Sequence, residues 1–223
     1  MCFSAQADVA GGVFAGLVGI DALRHVRFQK ERMLASLPLL FGIHQLIEAF
    51  VWWGLSDQVS WSVGGTAVWI YLAFAFVVVP VLVPLAVLTV EPNPSRRRFM
   101  VALTAVGVMV AIIYVVAMMR EPVGARIDGN TVVYSIHLGE NGIVNALYMV
   151  ATCGLLLISS HRHVALFGTV NLAAVAVLLW LASDANTSLW CAWAAISSVA
   201  IAAHMRLAHR SRQTHSTGPT QLA

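Results

Sequence analysis

An all-α bundle of seven transmembrane helices is the fold this sequence predicts. Its N-terminus lies outside, its C-terminus is cytoplasmic, and a small β-hairpin sits in the fourth-to-fifth outer loop. Three observations carry the expectation. Of 223 residues, 59% are hydrophobic and only 10% charged, against about 25% charged in a soluble domain. Apolar runs approaching the ~20 residues that cross a bilayer recur along the chain. Basic residues concentrate in alternate loops.

The first run, 9–27, carries Gly12 and Gly16 as a GxxxG, with Ala15 and Gly19 one step round. That face predicts close helix packing, within the chain or in a homo-oligomer. Near its inner end Asp21 precedes Arg24 and is expected to pair with it or with water. The second run is 33–55. The third, 62–90, is longer than a crossing needs and contains Pro80 and Pro84, so a kink or tilt is expected. The fourth run is 98–119. In the outer loop 120–142, "ARIDGNTVVYS" sets Asp128-Gly129 between two β-prone stretches, a hairpin signal. The fifth run, 143–160, continues a polar stripe of Asn141, Asn145, Tyr148 and Thr152. Runs six and seven are 163–182 and 187–209. Residues 1–210 form the membrane domain and 211–223 read as a disordered cytoplasmic tail.

Charge sets the orientation. Arg24, Arg27, Lys30, Arg32, Arg96, Arg97, Arg98, Arg162, Arg206, Arg210 and Arg212 fall on one side, eleven of the thirteen basic residues. Arg120 and Arg126 fall on the other. The positive-inside rule then makes the tail cytoplasmic and the N-terminus external. Trp52, Trp53, Trp61, Trp180 and Trp190 cluster near outer ends, as an aromatic belt would. The start, "MCFSAQADVA", has no signal-peptide pattern. The expected location is the cell (inner) membrane, multi-pass, with the lipid bilayer as partner. Lys30, the single lysine, lies between helices, which argues against a retinal Schiff base. No basic run interleaved with aromatics points to nucleic acid. Cys2, Cys153 and Cys191 show no CxxC spacing.

Topology brings scattered polar side chains to one depth. His44 is expected near mid-membrane, with Glu48 one turn further out on the same face. Tyr114 lies in the outer half of the fourth span. Cys191 follows Trp190 near the outer end of the seventh, His137 and Glu140 enter the fifth from the loop, and Cys2 is outside. An ionisable group at a helix centre costs about 2.5–3.5 kcal/mol, so such groups face the bundle interior. The expectation is an outward-opening polar cavity with Glu48 at its floor. Asn145, Tyr148, Tyr114, Trp52 and Trp190 are its candidate ligand-binding residues.

Three readings of that cavity stay open. In one, His44 and Glu48 only fix helix packing. In a second, His44 and Glu48 bind a transition metal such as zinc, with a third ligand from His137, Cys2 or Cys191, and Glu48 serves as ligand or general base. Removal of Met1 would leave Cys2 with an amine and a thiol to chelate through. The H-x3-E spacing is far less specific than H-E-x-x-H. In a third, Glu48 is a protonatable carboxyl on a proton or solute path, since desolvation favours the neutral form unless a cation or donors compensate.

"MCFSA" at the start, "LPLLFGIHQLIEAFVWWGL" in the second span and "SLWCAWAAISS" in the seventh resemble an uncharacterised bacterial multi-pass membrane family. That family carries an N-terminal MCFSA and a PLLFGxQQxxEGxxW helix. The resemblance covers most of the chain and implies that Cys2, Glu48, Trp52, Trp190 and Cys191 occupy family-motif positions. His44 stands where the family pattern has Gln, a poor metal ligand, which leaves Glu48 the stronger candidate. The resemblance brings no function. The functional expectation is therefore a small-molecule or ion site in the outer half of the bundle. It would serve a membrane-embedded metal-dependent enzyme, a proton-coupled small-solute transporter or channel, or a non-catalytic sensor or accessory subunit.

Overall fold

The computed structural model describes residues 4–138 and 142–181. The predicted seventh span and tail, with Cys2, Glu140, Asn141, Trp190 and Cys191, lie outside the described residues. Within them the chain is mostly helical, with one two-stranded antiparallel sheet. Helix α1 is Ala5–Arg24, α2 is Arg32–Leu55, α3 is Trp61–Val90 and α4 is Pro94–Arg120. Strands β1 (Gly124–Asp128) and β2 (Thr131–Ser135) follow, then α5 (Gly142–Ile158) and α6 (Arg162–Leu181). Helices α1, α3, α4 and Gln29–Leu55, which contains α2, are long and apolar enough to cross a membrane. They point to a membrane protein. Helix α5 and the apolar part of α6 are shorter.

Helix α1 starts four residues earlier than its hydropathy suggests, because Ser4 caps it. The Ser4 hydroxyl accepts from the Ala7 N–H at 3.3 Å, satisfying one donor of the first turn. Asp8 in that turn is buried, 2% exposed. Asp21, expected to meet Arg24 or water, lies 3.6 Å from His25.

The glycine face of α1 packs on α2 of the same chain. A Cβ on Gly19 would lie 2.3 Å from the Leu39 nitrogen, and one on Gly42 would lie 2.7 Å from the Gly12 carbonyl oxygen. Backbones this close need small residues. Gly54 and Gly64 do the same for α2 and α3: a Cβ on Gly54 would come within 2.5 Å of the Gly64 Cα. Large apolar side chains such as Phe14, Leu17, Phe99 and Ile112 point outward and are exposed.

The prolines of α3 act through the helical ladder. Residues Phe74–Val78 form a π-helical turn, in which the Val79 N–H reaches the Phe74 carbonyl, five residues back. The turn stands just before Pro80, whose ring would otherwise clash with the carbonyl four residues earlier. Pro84 likewise has no N–H for the Pro80 carbonyl. That oxygen instead meets α4 at Gly107, where a Cβ would lie 2.0 Å away. Close Cα approach to a freed carbonyl explains why position 107 is small.

The hairpin forms where the sequence predicts, with Asp128 paired to Thr131. The two loop residues are therefore Gly129 and Asn130. Gly129 has φ 58°, and a positive φ confined to the first loop position is the type II′ pattern. Val132, 1% exposed, and Tyr134 point from β2 into the core of Ala49, Val51, Trp52, Val68, Tyr71 and Met118. Residues two apart on a strand share a face. The hairpin thus packs onto α2 and α3.

Candidate functional site

On α2 the residues His44, Glu48 and Trp52 recur every four positions and form one buried stripe. Glu48 is 0% exposed, His44 6% and Trp52 7%. Trp52 packs in the core, whereas Trp61 is exposed. Gln45 is buried beside the stripe and reaches α1 at Gly11. A Cβ there would lie 2.7 Å from the Gln45 Oε1. The register set by Gly12 and Gly19 puts Asp8 of α1 level with Glu48 and Ala49.

Aromatic rings enclose His44. Its imidazole stacks on Tyr71, with centroids 4.1 Å apart and planes at 13°, and on Phe74, at 4.6 Å and 28°. Two rings cannot occupy one face of an imidazole, so His44 lies between them. Tyr71 stacks in turn on Tyr134, at 4.5 Å. The Tyr134 hydroxyl donates to Glu48 Oε1 at 3.3 Å. A strand of the hairpin thereby reaches the carboxyl of the second helix. His44 Nδ1 and Trp52 Nε1 have no hydrogen-bond partner among the described residues.

The other predicted residues form a separate group. The Tyr114 hydroxyl of α4 donates to Asn145 Oδ1 of α5 at 2.7 Å. The Tyr148 hydroxyl donates to the Ala75 carbonyl in the π-turn at 2.9 Å. Phe76 stacks on Tyr114, with centroids 4.6 Å apart. The π-turn joins the two groups, since Phe74 stacks on His44 and also packs against the Tyr114–Tyr148 cluster, and Phe76 packs against both. His137 stays at the surface, 60% exposed and 3.5 Å from Glu121.

Among the described residues, Glu48 and His44 pack with Tyr71 and Tyr134, Tyr114 pairs with Asn145, and Phe76 packs against both clusters. Glu48 is enclosed rather than at the floor of an open mouth. Of the proposed metal ligands, His137 is exposed beside Glu121, and Cys2 and Cys191 lie outside the described residues. Among the described residues no three His, Cys, Asp or Glu side chains gather to hold a metal. A groove of about 390 Å³ lies between α2 and α3, but Ile47, Phe50, Val63 and Ile70 make it apolar, and Glu48 does not line it.

Asp8, Gln45, Tyr71 and Tyr134 join the site without having been singled out in the sequence. Alternation along β2 was the available signal for Tyr134, and the Ser4 cap for Asp8. At the far end of α3 a further polar knot escaped notice. Glu91, 4% exposed, accepts from the Ser160 N–H at 2.8 Å and from the Ser160 hydroxyl. The Asn93 N–H donates to it at 3.1 Å. Burial pushes the Glu91 carboxyl up, but these hydrogen bonds and nearby His161 outweigh it and hold the group below its ordinary value. Arg96 donates to the Ile158 and Ser159 carbonyls at 2.9 and 3.0 Å, capping α5. The knot ties the α3–α4 loop to the α5–α6 loop.

The profile of the family of unknown function DUF6629 matches residues 1–216. The chain belongs to that family. The DUF6629 match spans every element described above, so the Glu48 group and the Glu91 knot both lie inside the family region. No curated protein and no solved structure matches the chain.

Proposed function

We propose that this DUF6629 chain is a seven-span membrane protein, with its N-terminus outside, that binds a proton at Glu48 in the course of moving a small solute or ion. One observation carries the reading: a carboxyl 0% exposed, on a helix long and apolar enough to cross a membrane, held by a tyrosine hydroxyl from the hairpin. An isolated carboxylate is expensive in such surroundings, so the protonated form is favoured there and the ionised form needs donors such as the Tyr134 hydroxyl. The titratable groups on the elements around it are Asp8 of α1, His44 of α2, Tyr71 of α3 and Tyr134 of β2. Glu48 and Asp8 supply the acids, and the tyrosines supply hydroxyl donors. Alternating neutral and charged carboxyl states would change how tightly the hairpin holds to α2, which is the coupling a transporter needs.

The test is infrared difference spectroscopy on protein in lipid, between neutral and acid pH. The reading expects a protonated-carboxyl C=O band that disappears in Glu48→Gln. Proteoliposomes with an internal pH dye should take up protons, and Glu48→Gln should not. Identical difference spectra for the two proteins would sink the reading.

A further inference from the structure

We infer that one end of the helix bundle is a docking surface for anionic phospholipid headgroups, with Lys30, Arg97, Arg98 and Arg162 as their contacts. The inference rests on the chain's place in a membrane and not on the proton at Glu48. Three segments far apart in sequence meet at this end. The Thr89 hydroxyl near the end of α3 donates to the Lys30 carbonyl at 3.1 Å, so the α1–α2 loop lies against α3. The Ser160 N–H holds Glu91, and the Arg96 guanidinium reaches the Ile158 and Ser159 carbonyls. The α3–α4 loop therefore lies against the end of α5. This end carries eight cations, in 24–32, in 96–98 and at Arg162, with three carboxylates, Asp21, Glu31 and Glu91. At the opposite end Arg120 and Arg126 stand with Asp57, Glu121 and Asp128, and Arg126 is paired to Asp128 at 3.4 Å.

The three carboxylates are already engaged. Asp21 lies 3.6 Å from His25. The Arg27 and Phe28 N–H groups donate to Glu31 at 3.4 and 3.5 Å. Glu91 is enclosed by the N–H groups of Asn93 and Ser160. Arg97, Arg98 and Arg162 are exposed and form no ion pair among the described residues. Lys30 carries its ammonium over the ring of Phe28, 5.8 Å from the centroid. The field at this end is therefore positive, and an anion is its complement. The adjoining surface says which anion. Phe28 is 48% exposed and Phe99 68%, and Phe99 directly follows Arg98 on α4. Beyond it Val101, Val108 and Ile112 of the same helix are exposed as well. The surface thus passes from guanidinium groups to apolar side chains along one helix, as a phospholipid passes from phosphate to acyl chain. Long cationic side chains reach headgroup level while their stems lie on apolar surface. Guanidinium groups bind phosphate oxygens through paired N–H donors. An acidic protein or a nucleic acid offers the charge without the apolar layer beneath it. With the N-terminus outside, this end meets the cytoplasmic leaflet, where anionic lipids attract basic segments beside membrane helices.

The test uses the full-length protein in phosphatidylcholine vesicles that carry a trace of spin-labelled phosphatidylglycerol or spin-labelled phosphatidylcholine. Electron paramagnetic resonance reads the fraction of label immobilised by the protein. Phosphatidylglycerol should be held at least about fivefold more strongly, the effect of one cation at a charged membrane surface. The preference should fall as salt rises. A protein with Arg97→Gln, Arg98→Gln and Arg162→Gln together should lose most of it. Arg120→Gln with Arg126→Gln, at the opposite end, should leave it unchanged. Equal immobilisation of the two lipids by the wild-type protein overturns the inference, whether or not any variant folds. An equal loss of preference in the two variants overturns it too. Displacement of the labelled lipid by millimolar inorganic phosphate would make the face a site for the free ion and overturn the lipid assignment. Salt-sensitive binding of a short RNA, with no preference between the lipids, would assign the face to nucleic acid and overturn it likewise. None of these outcomes bears on proton uptake at Glu48, so the two readings fail separately.

Discussion

The Tyr148 hydroxyl donates to the carbonyl of Ala75 at 2.9 Å, and the α3 ladder makes that oxygen available twice over. In an α-helix the Val79 N–H would bond it, but Val79 reaches Phe74 instead. In π-helical pairing the residue at position 80 would bond it, but that residue is proline. A side chain from α5 supplies the missing donor.

Tyr148→Phe should therefore cost about 1–3 kcal/mol, the penalty for an unmet buried carbonyl. Thermal unfolding in detergent would register it. In a Pro80→Ala background the loss should shrink, because an N–H at position 80 can take the oxygen. A double-mutant cycle reads this coupling directly, and additive losses would contradict it.

Tyr134→Phe removes the hydroxyl that meets Glu48 and keeps the ring on Tyr71. A hydrogen bond to a carboxyl that ionises contributes about 1.5–3 kcal/mol. The melting temperature should fall accordingly. In Glu48→Gln the same change should cost less, because the bond is then to a neutral amide.

Gly107→Ala should destabilise strongly, since its Cβ would stand 2.0 Å from the Pro80 oxygen and backbone there cannot give way cheaply. At Gly65, where a Cβ would meet nothing within 4 Å, alanine should be neutral or raise stability by up to about 1 kcal/mol through helix propensity. Comparing the two melting curves checks the α3–α4 crossing.

Glu91 is held below its ordinary carboxylate value of 4.5, so the unfolded chain binds its proton more readily than the folded one. Its contribution is complete above that value and is lost as pH falls through the lower folded-state value. Unfolding followed from neutral to acid pH should show that loss in the wild type. Glu91→Ala should start less stable and show a smaller acid dependence.

Much of the architecture was legible in the chain because bilayer thickness and strand pleat impose simple periods. The first six apolar runs coincide with six helices to within a few residues, and the hairpin lies where Asp128 and Gly129 signal it. Glu48 and His44 could be singled out because ionisable groups stand out in an apolar run. Tyr114 meets Asn145, a pairing that no spacing within either run specifies. Tyr134 was harder to see, since a tyrosine in a surface strand signals nothing until the strand packs down on a helix.

Sequence alone determined the helix-forming runs, the turn, and the presence of a carboxyl in an oily segment, because these follow from local hydropathy, spacing and backbone preference. Which polar groups meet was decided in three dimensions. A π-turn formed before Pro80 in α3, and glycine contacts set the height of each helix against the next. Hydrogen-bond satisfaction between segments far apart in the chain has no local signature, so the split into a Glu48 group and a Tyr114–Asn145 group emerges only once the helices pack.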